Sequence, residues 1–316
     1  MKVTAIFCGR TNWKTECIAK TALNGAAELG AEVMAINLMD LDIKPCINCG
    51  SCVRVLSDDT YRGKCPFEGD DIAWLDQQIL DSAGLIFVAP MFEKAAPATY
   101  KMMCDRMGPS HDVTFQRFAY DRRVARGEDP RIDPRWFESR PVSFIGHGGS
   151  EWSHLSYPSL ANPAVSMGLD IVDRLQMDWN ADLLFRDDLM ERIRESGRHV
   201  ARMAALEPGQ RSYIGAPGYC PVCHNNVMRL DEQGTGVSCA VCGVHGTLSV
   251  EEGRITVTYS QEELAKSHLL DSGRRIHLAD LQRNGKANAA HSPQEWAEQK
   301  KRLCGGIVTS RPERTK

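Results

Sequence analysis

Eight of the twelve cysteines fall into two clusters, Cys46, Cys49, Cys52 and Cys65, then Cys220, Cys223, Cys239 and Cys242. Thiols grouped this way in a reducing compartment point to metal rather than to disulfides. The second cluster is the stricter pattern: two Cys-x2-Cys knuckles with fifteen residues between them. Two tight turns at that separation can present four sulfurs to one ion, and structural zinc takes such a closed tetrahedral shell. Rubredoxin-like iron is the competing occupant. His224 and His245 stand beside the knuckles, but four cysteines already fill the shell, which leaves both rings outside it or in solvent. In the first cluster, Cys46-Ile-Asn-Cys49-Gly-Ser-Cys52 is the compact half of a four-iron site, with Gly50 supplying the turn. Cys65, separated from Cys52 by twelve residues and just before Pro66, supplies the fourth thiolate. The long gap costs little entropy. A [4Fe–4S] cluster, an iron-free structural loop and zinc are the three readings. Cys8, Cys17, Cys104 and Cys304 read as small buried hydrophobes.

A different chemistry sits near the N-terminus. The apolar run Val3–Phe7 delivers the chain into Cys8-Gly9-Arg10-Thr11-Asn12-Trp13-Lys14-Thr15-Glu16. Free backbone N–H groups, two threonine hydroxyls and a helix N-terminus suit a phosphate. The loop lacks the GxGxxG and Gly-Lys-Ser/Thr patterns, and an ordinary polar βα turn is the alternative. No Ser-His-Asp or Cys-His nucleophile arrangement stands out, so no catalytic side chain is assigned.

The elements that must position these groups alternate. Apolar runs at Val3–Phe7, Val33–Leu38, Leu85–Ala89 and Val142–Ile145, with a weaker one at Ile171–Met177, read as strands buried on both faces. Amphipathic stretches lie between them at Thr15–Leu29, Asp71–Ser82 and Pro97–Met107, and a last one runs from Asp187 to about Leu206. This rhythm predicts a doubly wound α/β sandwich that binds ligands beyond the carboxyl ends of its strands. Residues 109–140, with five aromatics among seven arginines, break the rhythm and read as a lid, a dimer arm or a solvated insertion. After Pro208 a Gly/Pro-rich linker leads to the second cysteine cluster, then to a hairpin at 248–259 turning at Glu251-Glu252-Gly253. From Gln261 the chain is polar and partly helical, with Ser292-Pro293-Gln294-Glu295 as a helix start. The expected organisation is 1–207, 208–260 and a tail at 261–316, with 311–316 frayed.

Three further stretches carry a resemblance: Ala89-Pro90-Met91-Phe92-Glu93 with Pro97-Ala98 and Lys101-x3-Asp105-Arg106 after the third strand, Gly146-His147-Gly148-Gly149-Ser150 after the fourth, and Asp70-Asp71 opening the second helix. Together with the first loop, residues 1–205 resemble the flavodoxin-like NAD(P)H-dependent FMN reductases, nearest the branch that includes the iron-sulfur flavoproteins. The resemblance implies a five-stranded parallel flavodoxin-like sheet, with FMN phosphate held by Arg10, Thr11, Asn12, Lys14 and Thr15. It places Pro90, Met91, Phe92 and Glu93 beside the flavin ring, and Gly146, His147, Gly148 and Gly149 at its pyrimidine edge. His147 is then a neutral donor to the flavin; a loop histidine facing solvent is the other reading. The chain departs from the family in having Cys8-Gly9-Arg10 where Ser-Pro-Arg or Ser-x-Arg is usual, and Phe92 for a tyrosine. The implied activity is hydride transfer from NAD(P)H to flavin, then onward to a small organic acceptor or a partner protein, with the first cysteine cluster passing single electrons. An electron-transfer protein without its own substrate and a redox-sensing scaffold are the other classes. A homo-oligomer is the family expectation.

The second cysteine cluster resembles a zinc ribbon. Ribbons often bind nucleic acid, but residues 211–260 hold three arginines against four acids, so a basic footprint is absent. Composition agrees. The 316 residues are 42% hydrophobic and 25% charged, with a formal charge of -3, which gives no reason to expect a nucleic-acid binder or membrane-surface protein. No apolar stretch approaches the ~20 residues of a membrane span. Lys2 leads directly into a strand without a signal-peptide pattern, so a cytoplasmic protein is expected.

Overall fold

The five apolar runs become one parallel sheet: β1 (Lys2–Phe7), β2 (Glu32–Asn37), β3 (Gly84–Pro90), β4 (Pro141–His147) and β5 (Asp170–Met177), in the order β2-β1-β3-β4-β5. The computed structural model describes residues 1–53, 65, 67–148, 150–179, 181–306 and 310. The register aligns Ile6 with Ile36 and with Phe87, and Phe87 with Phe144. Because alternate strand residues face opposite sides, the core divides in two. Val3, Ala5, Ile86, Val88 and Ile145 pack against α1 (Lys14–Glu28) and α7 (Asp187–Ala204). Ile6, Phe87 and Phe144 pack against α2 (Ile72–Leu80), α3 (Ala98–Met107) and the short helices α5 (Ser156–Leu160) and α6 (Asn162–Met167). This is the flavodoxin-like α/β arrangement.

Two glycines allow the first layer to close. A Cβ on Gly197 of α7 would strike the Ala22 carbonyl of α1, and one on Gly25 would strike the Arg194 carbonyl. The two helix backbones therefore touch, and any larger residue at either position forces them apart.

Residues 109–140 hold a helix that the arginine-rich sequence conceals. Asp112 accepts hydrogen bonds from the N–H groups of Thr114 and Phe115 and caps α4 (Val113–Ala125). Only a narrow face of α4 is apolar: Phe115 and Ala119 join Ile132 and Leu278 in a small separate core. Leu278 belongs to α9 (Asp271–Ala289). The segment is thus packed against the C-terminal tail. His111 anchors its start, with Nε2 2.8 Å from Asp76 Oδ1 and Nδ1 2.7 Å from Ser110 Oγ.

Beyond Pro208 a second, antiparallel sheet forms from β6 (Met228–Leu230), β7 (Gly236–Cys239), β8 (His245–Glu251) and β9 (Arg254–Thr258). The β8–β9 hairpin turns through Glu252 and Gly253, at φ 50° and 75°, the left-handed pair a two-residue hairpin needs. After α8 (Gln261–Leu264) and α9, α10 (Pro293–Cys304) begins with a Ser292/Glu295 capping box. The linker lies along the edge of the parallel sheet, Ile214 N donating to Val172 O at 3.1 Å. Among the described residues no helix is long and apolar enough to cross a membrane.

Candidate functional site

At the carboxyl ends of β1, β3 and β4 lies a cleft of about 650 Å³ lined by Cys8, Gly9, Arg10, Thr11, Trp13, Thr15, Met39, Pro90, Phe92, Pro97, Thr99 and His147. It is built from the β1–α1 loop upward. Asn37, at the end of β2, clamps Gly9 from both sides: its Oδ1 accepts from Gly9 N at 3.3 Å and its Nδ2 donates to Gly9 O at 2.9 Å. A Cβ on Gly9 would meet Thr15 Cβ and Oγ1 at 2.6 Å, so glycine lets the loop close onto the first turn of α1. Asn12 takes φ 54°, and its N–H donates to Glu16 Oε2 at 2.5 Å. Lys20 and that N–H together hold the Glu16 carboxyl below its ordinary range. Lys14 Nζ donates to the Ala181 carbonyl.

His147, at the end of β4, is buried and stands 2.9 Å from Thr15 Oγ1 through Nε2. Burial, reinforced by the Lys14 charge, lowers its pKa from 6.5 to about 4. It is a neutral ring turned onto the loop, and the solvent-facing alternative does not hold. Between those two pKa values the unfolded chain binds a proton that the folded one refuses. The stabilisation is therefore complete above pH 6.5 and is lost as pH falls toward 4, by about 3 kcal/mol in all. Thermal unfolding followed between pH 7 and pH 4 checks this: wild-type protein loses stability steeply, and His147→Gln flattens the curve in that window.

After β3 the chain makes a second tight turn. Phe92 and Ala95 exchange backbone hydrogen bonds at 2.9 and 3.0 Å, while Glu93 and Lys94 take φ 46° and 73°. The turn holds Phe92 out at the cleft, 63% exposed. Of the anticipated residues, Arg10, Thr11, Thr15, Pro90, Phe92 and His147 line the cleft, whereas Asn12, Lys14, Met91, Glu93, Gly146 and Gly148 stand behind or beside it. Gly148 packs near Met91 and donates to Met177 O at 2.9 Å. Gly146 faces away, since a Cβ there would strike Ser156 Oγ and Gln176 Oε1. Gly149 lies outside the described residues. Trp13, Met39, Pro97 and Thr99 were not anticipated; an aromatic at the tip of a polar loop was the readable signal for Trp13. No residue of 109–140 borders the cleft.

The donor set suits FMN. Backbone amides, the Thr11 and Thr15 hydroxyls and Arg10 line the cleft, and the rest of the wall is apolar apart from Thr99 and His147, within the usual volume of small-molecule sites. Arg10 lies 4.3 Å from the Trp13 ring centroid, which keeps its charge at the cleft mouth.

The cysteines of the second cluster converge. All four are buried, and their sulfurs lie within 4.8 Å of one another, Cys220–Cys242 at 3.5 Å and Cys223–Cys239 at 3.3 Å. A tetrahedral zinc with bonds of about 2.3 Å spaces its sulfurs about 3.8 Å apart, so the group fits a single ion. Tyr157 of α5 donates to Cys223 O at 2.5 Å, and His268 N donates to Cys242 O at 2.9 Å. His224 stays outside the group, stacked 3.5 Å from Tyr213. The first cluster is looser. Cys46 and Cys49 are exposed, Cys52 and Cys65 half-buried. Burial, then the charges of Cys49, Cys65 and Cys46, raises the Cys52 thiol, and among the described residues these four do not gather into an ion-sized group as the second cluster does. Arg106 tethers this loop: it pairs with buried Asp70, reaches Cys65 Sγ at 3.4 Å, and donates to the carbonyls of Lys44 and Phe67.

The fold and this cleft define a flavodoxin-like flavoprotein. Residues 1–153 match the family described as NADPH-dependent FMN reductase. A flavone synthase, cfoJ, of Aspergillus candidus is 30% identical over 230 residues, 70% of each chain. A solved structure of a flavone reductase is 27% identical with a TM-score of 0.86, over 99% of this chain and 100% of that one. The chain belongs to the NADPH-dependent FMN reductase family. It is an NAD(P)H-dependent FMN oxidoreductase.

Proposed function

We propose that this enzyme reduces the conjugated carbon–carbon double bond of flavone-type ketones, the double bond gaining a hydride and a proton as NAD(P)H becomes NAD(P)+. The observation that carries the reading is the end-to-end likeness to a flavone reductase, which extends through the cysteine module and the tail. A second relative whose name also concerns flavone supports it. The cleft is consistent with such an acceptor, because Phe92, Trp13, Met39 and Pro97 offer apolar surface to a flat aromatic ligand. When bound, FMN supplies the hydride transfer between coenzyme and acceptor. The chain's own share is to hold and exclude. Arg10, Thr11, Thr15 and the loop amides are the phosphate holders, and neutral His147 fixes the Thr15 hydroxyl without adding charge. Phe92 and Pro90 keep water from the apolar end. Cys220, Cys223, Cys239 and Cys242 would hold zinc in a structural role, as a zinc-ribbon-like module.

A second reading concerns electron flow. Cys46, Cys49, Cys52 and Cys65 would hold a [4Fe–4S] cluster that relays single electrons to a small or protein acceptor. The Cys-x2-Cys-x2-Cys run at Cys46–Cys52, with Cys65 further along, supports a four-iron group. Anaerobic assay of FMN-loaded enzyme with NADPH and flavone, with metal analysis of the same sample, tests both readings. The expected result is acceptor-dependent NADPH oxidation yielding the product reduced by two hydrogens, with about four irons and one zinc per chain. Turnover with quinones alone would overturn the flavone reading, and zinc without iron would reduce the first cluster to a structural loop.

A further inference from the structure

Asn37, the last residue of β2, is buried and does not border the first cleft. Its backbone is level with Phe7, where the parallel ladder between β2 and β1 ends. The side chain continues that ladder for one more peptide. Asn37 Oδ1 accepts from Gly9 N at 3.3 Å, while Nδ2 donates to Gly9 O at 2.9 Å. A carboxamide carries the same donor and acceptor as a backbone peptide, so it can pair with both polar groups of Gly9 at once. Oδ1 takes a second hydrogen bond from Met39 N at 3.2 Å. On the other side of β1, Cys8 N donates to Val88 O of β3 at 3.2 Å. The root of the loop is held from both neighbouring strands.

Gly9 and Met39 both line the cleft, so this one buried amide joins two of its walls. Gly9 also rests on Thr15, since a Cβ there would lie 2.6 Å from Thr15 Oγ1. Farther along the loop the Asn12 N–H is held by Glu16, and Arg10 and Thr11 stand between the two clamped points. Nδ2 draws the Gly9 carbonyl toward the end of β2. A carbonyl released from that bond is free to turn its negative end on an anion seated among Arg10, Thr11 and Thr15. We propose that Asn37 is a positioning residue for the phosphate site: without touching the ligand, it sets the shape of the loop that receives an organic phosphate. This role rests on the reading of the loop as the holder of the FMN phosphate. Aspartate cannot replace it, because a carboxylate only accepts hydrogen bonds and adds a negative charge behind the loop.

Flavin-fluorescence titration at about pH 8, well above the carboxylate range, tests the role in Asn37→Ala and Asn37→Asp. Each whole chain, freed of flavin, is titrated with FMN and separately with riboflavin, beside the wild-type protein. Riboflavin lacks the phosphate, so its affinity reports the remainder of the cleft and the fold. Asn37→Ala should lower the ratio of FMN to riboflavin affinity by about tenfold. Asn37→Asp keeps the shape and both acceptor bonds, yet should lower the ratio further, because its second oxygen faces the Gly9 carbonyl and its charge faces the phosphate. Riboflavin affinity should stay within about twofold of wild type in both variants. An Asn37 that served the fold alone would weaken both ligands alike and leave the ratio unchanged, and that result overturns the proposal. A high ratio in the wild-type protein that persists in both variants strikes the positioning role and leaves the phosphate reading standing. A wild-type ratio near one removes the phosphate from the loop, and the role of Asn37 with it.

Discussion

Cys239→Ser is expected to unfold the cysteine module and release its metal. The buried centre of this module is the four cysteines and Val244, with Val237 beside them in β7. So small a core cannot offset the entropy of ordering its loops. With the proposed zinc, metal binding would supply the difference, about 10–16 kcal/mol for comparable thiolate sites. The damage spreads because Tyr157 of α5 is bonded to the Cys223 carbonyl and His268 to the Cys242 carbonyl. Limited proteolysis should cut the variant within 208–260, and its melting temperature should fall by more than about 10 °C. Chelation of the wild-type protein should reproduce both effects. A variant as protease-resistant as wild type would show that the module folds without its metal.

The second large effect concerns the β1–α1 loop. Arg10→Ala removes a positive charge at the mouth of the cleft, and Thr15→Val replaces a hydroxyl with a methyl of the same shape. Each hydrogen bond to a charged group contributes about 1.5–3 kcal/mol, so each variant should bind FMN about 10- to 100-fold more weakly. Arg10 is exposed and stacks on Trp13, so its removal should leave the stability of the apoprotein unchanged. Thr15→Val should also cost about 1 kcal/mol of stability, because it takes the hydrogen-bond partner of buried His147. Flavin-fluorescence titration beside thermal melts separates the two quantities. Unchanged FMN affinity in both variants would remove the loop from phosphate binding.

What was readable in the sequence follows from how local each signal is. Strands buried on both faces are continuous apolar runs, so β1, β3 and β4 were legible as such; Val33–Leu38 and the weaker Ile171–Met177 are also strands, but they form the two sheet edges, where Glu32, Val33 and Ala35 of β2 are exposed rather than buried. The cysteine knuckles and the Glu252-Gly253 turn were legible because spacing and left-handed turns are local properties. Helix α4 was not, because its buried face includes Thr114, Gln116 and Arg123 and its apolar partner Leu278 lies far along the chain. The cleft was half legible. Loop residues of β1 and β3 were named by motif, but Met39 and Thr99 reach it only through the packing of β2 and α3.

The central claim is that a phosphate settles on the amides, hydroxyls and Arg10 at the start of α1, and comparison of FMN with riboflavin tests it most directly. The two ligands differ only in that phosphate. Titration of apoprotein should show FMN bound at least about 100-fold more tightly than riboflavin, with the difference shrinking in Arg10→Ala. Equal affinity for the two ligands would contradict the account.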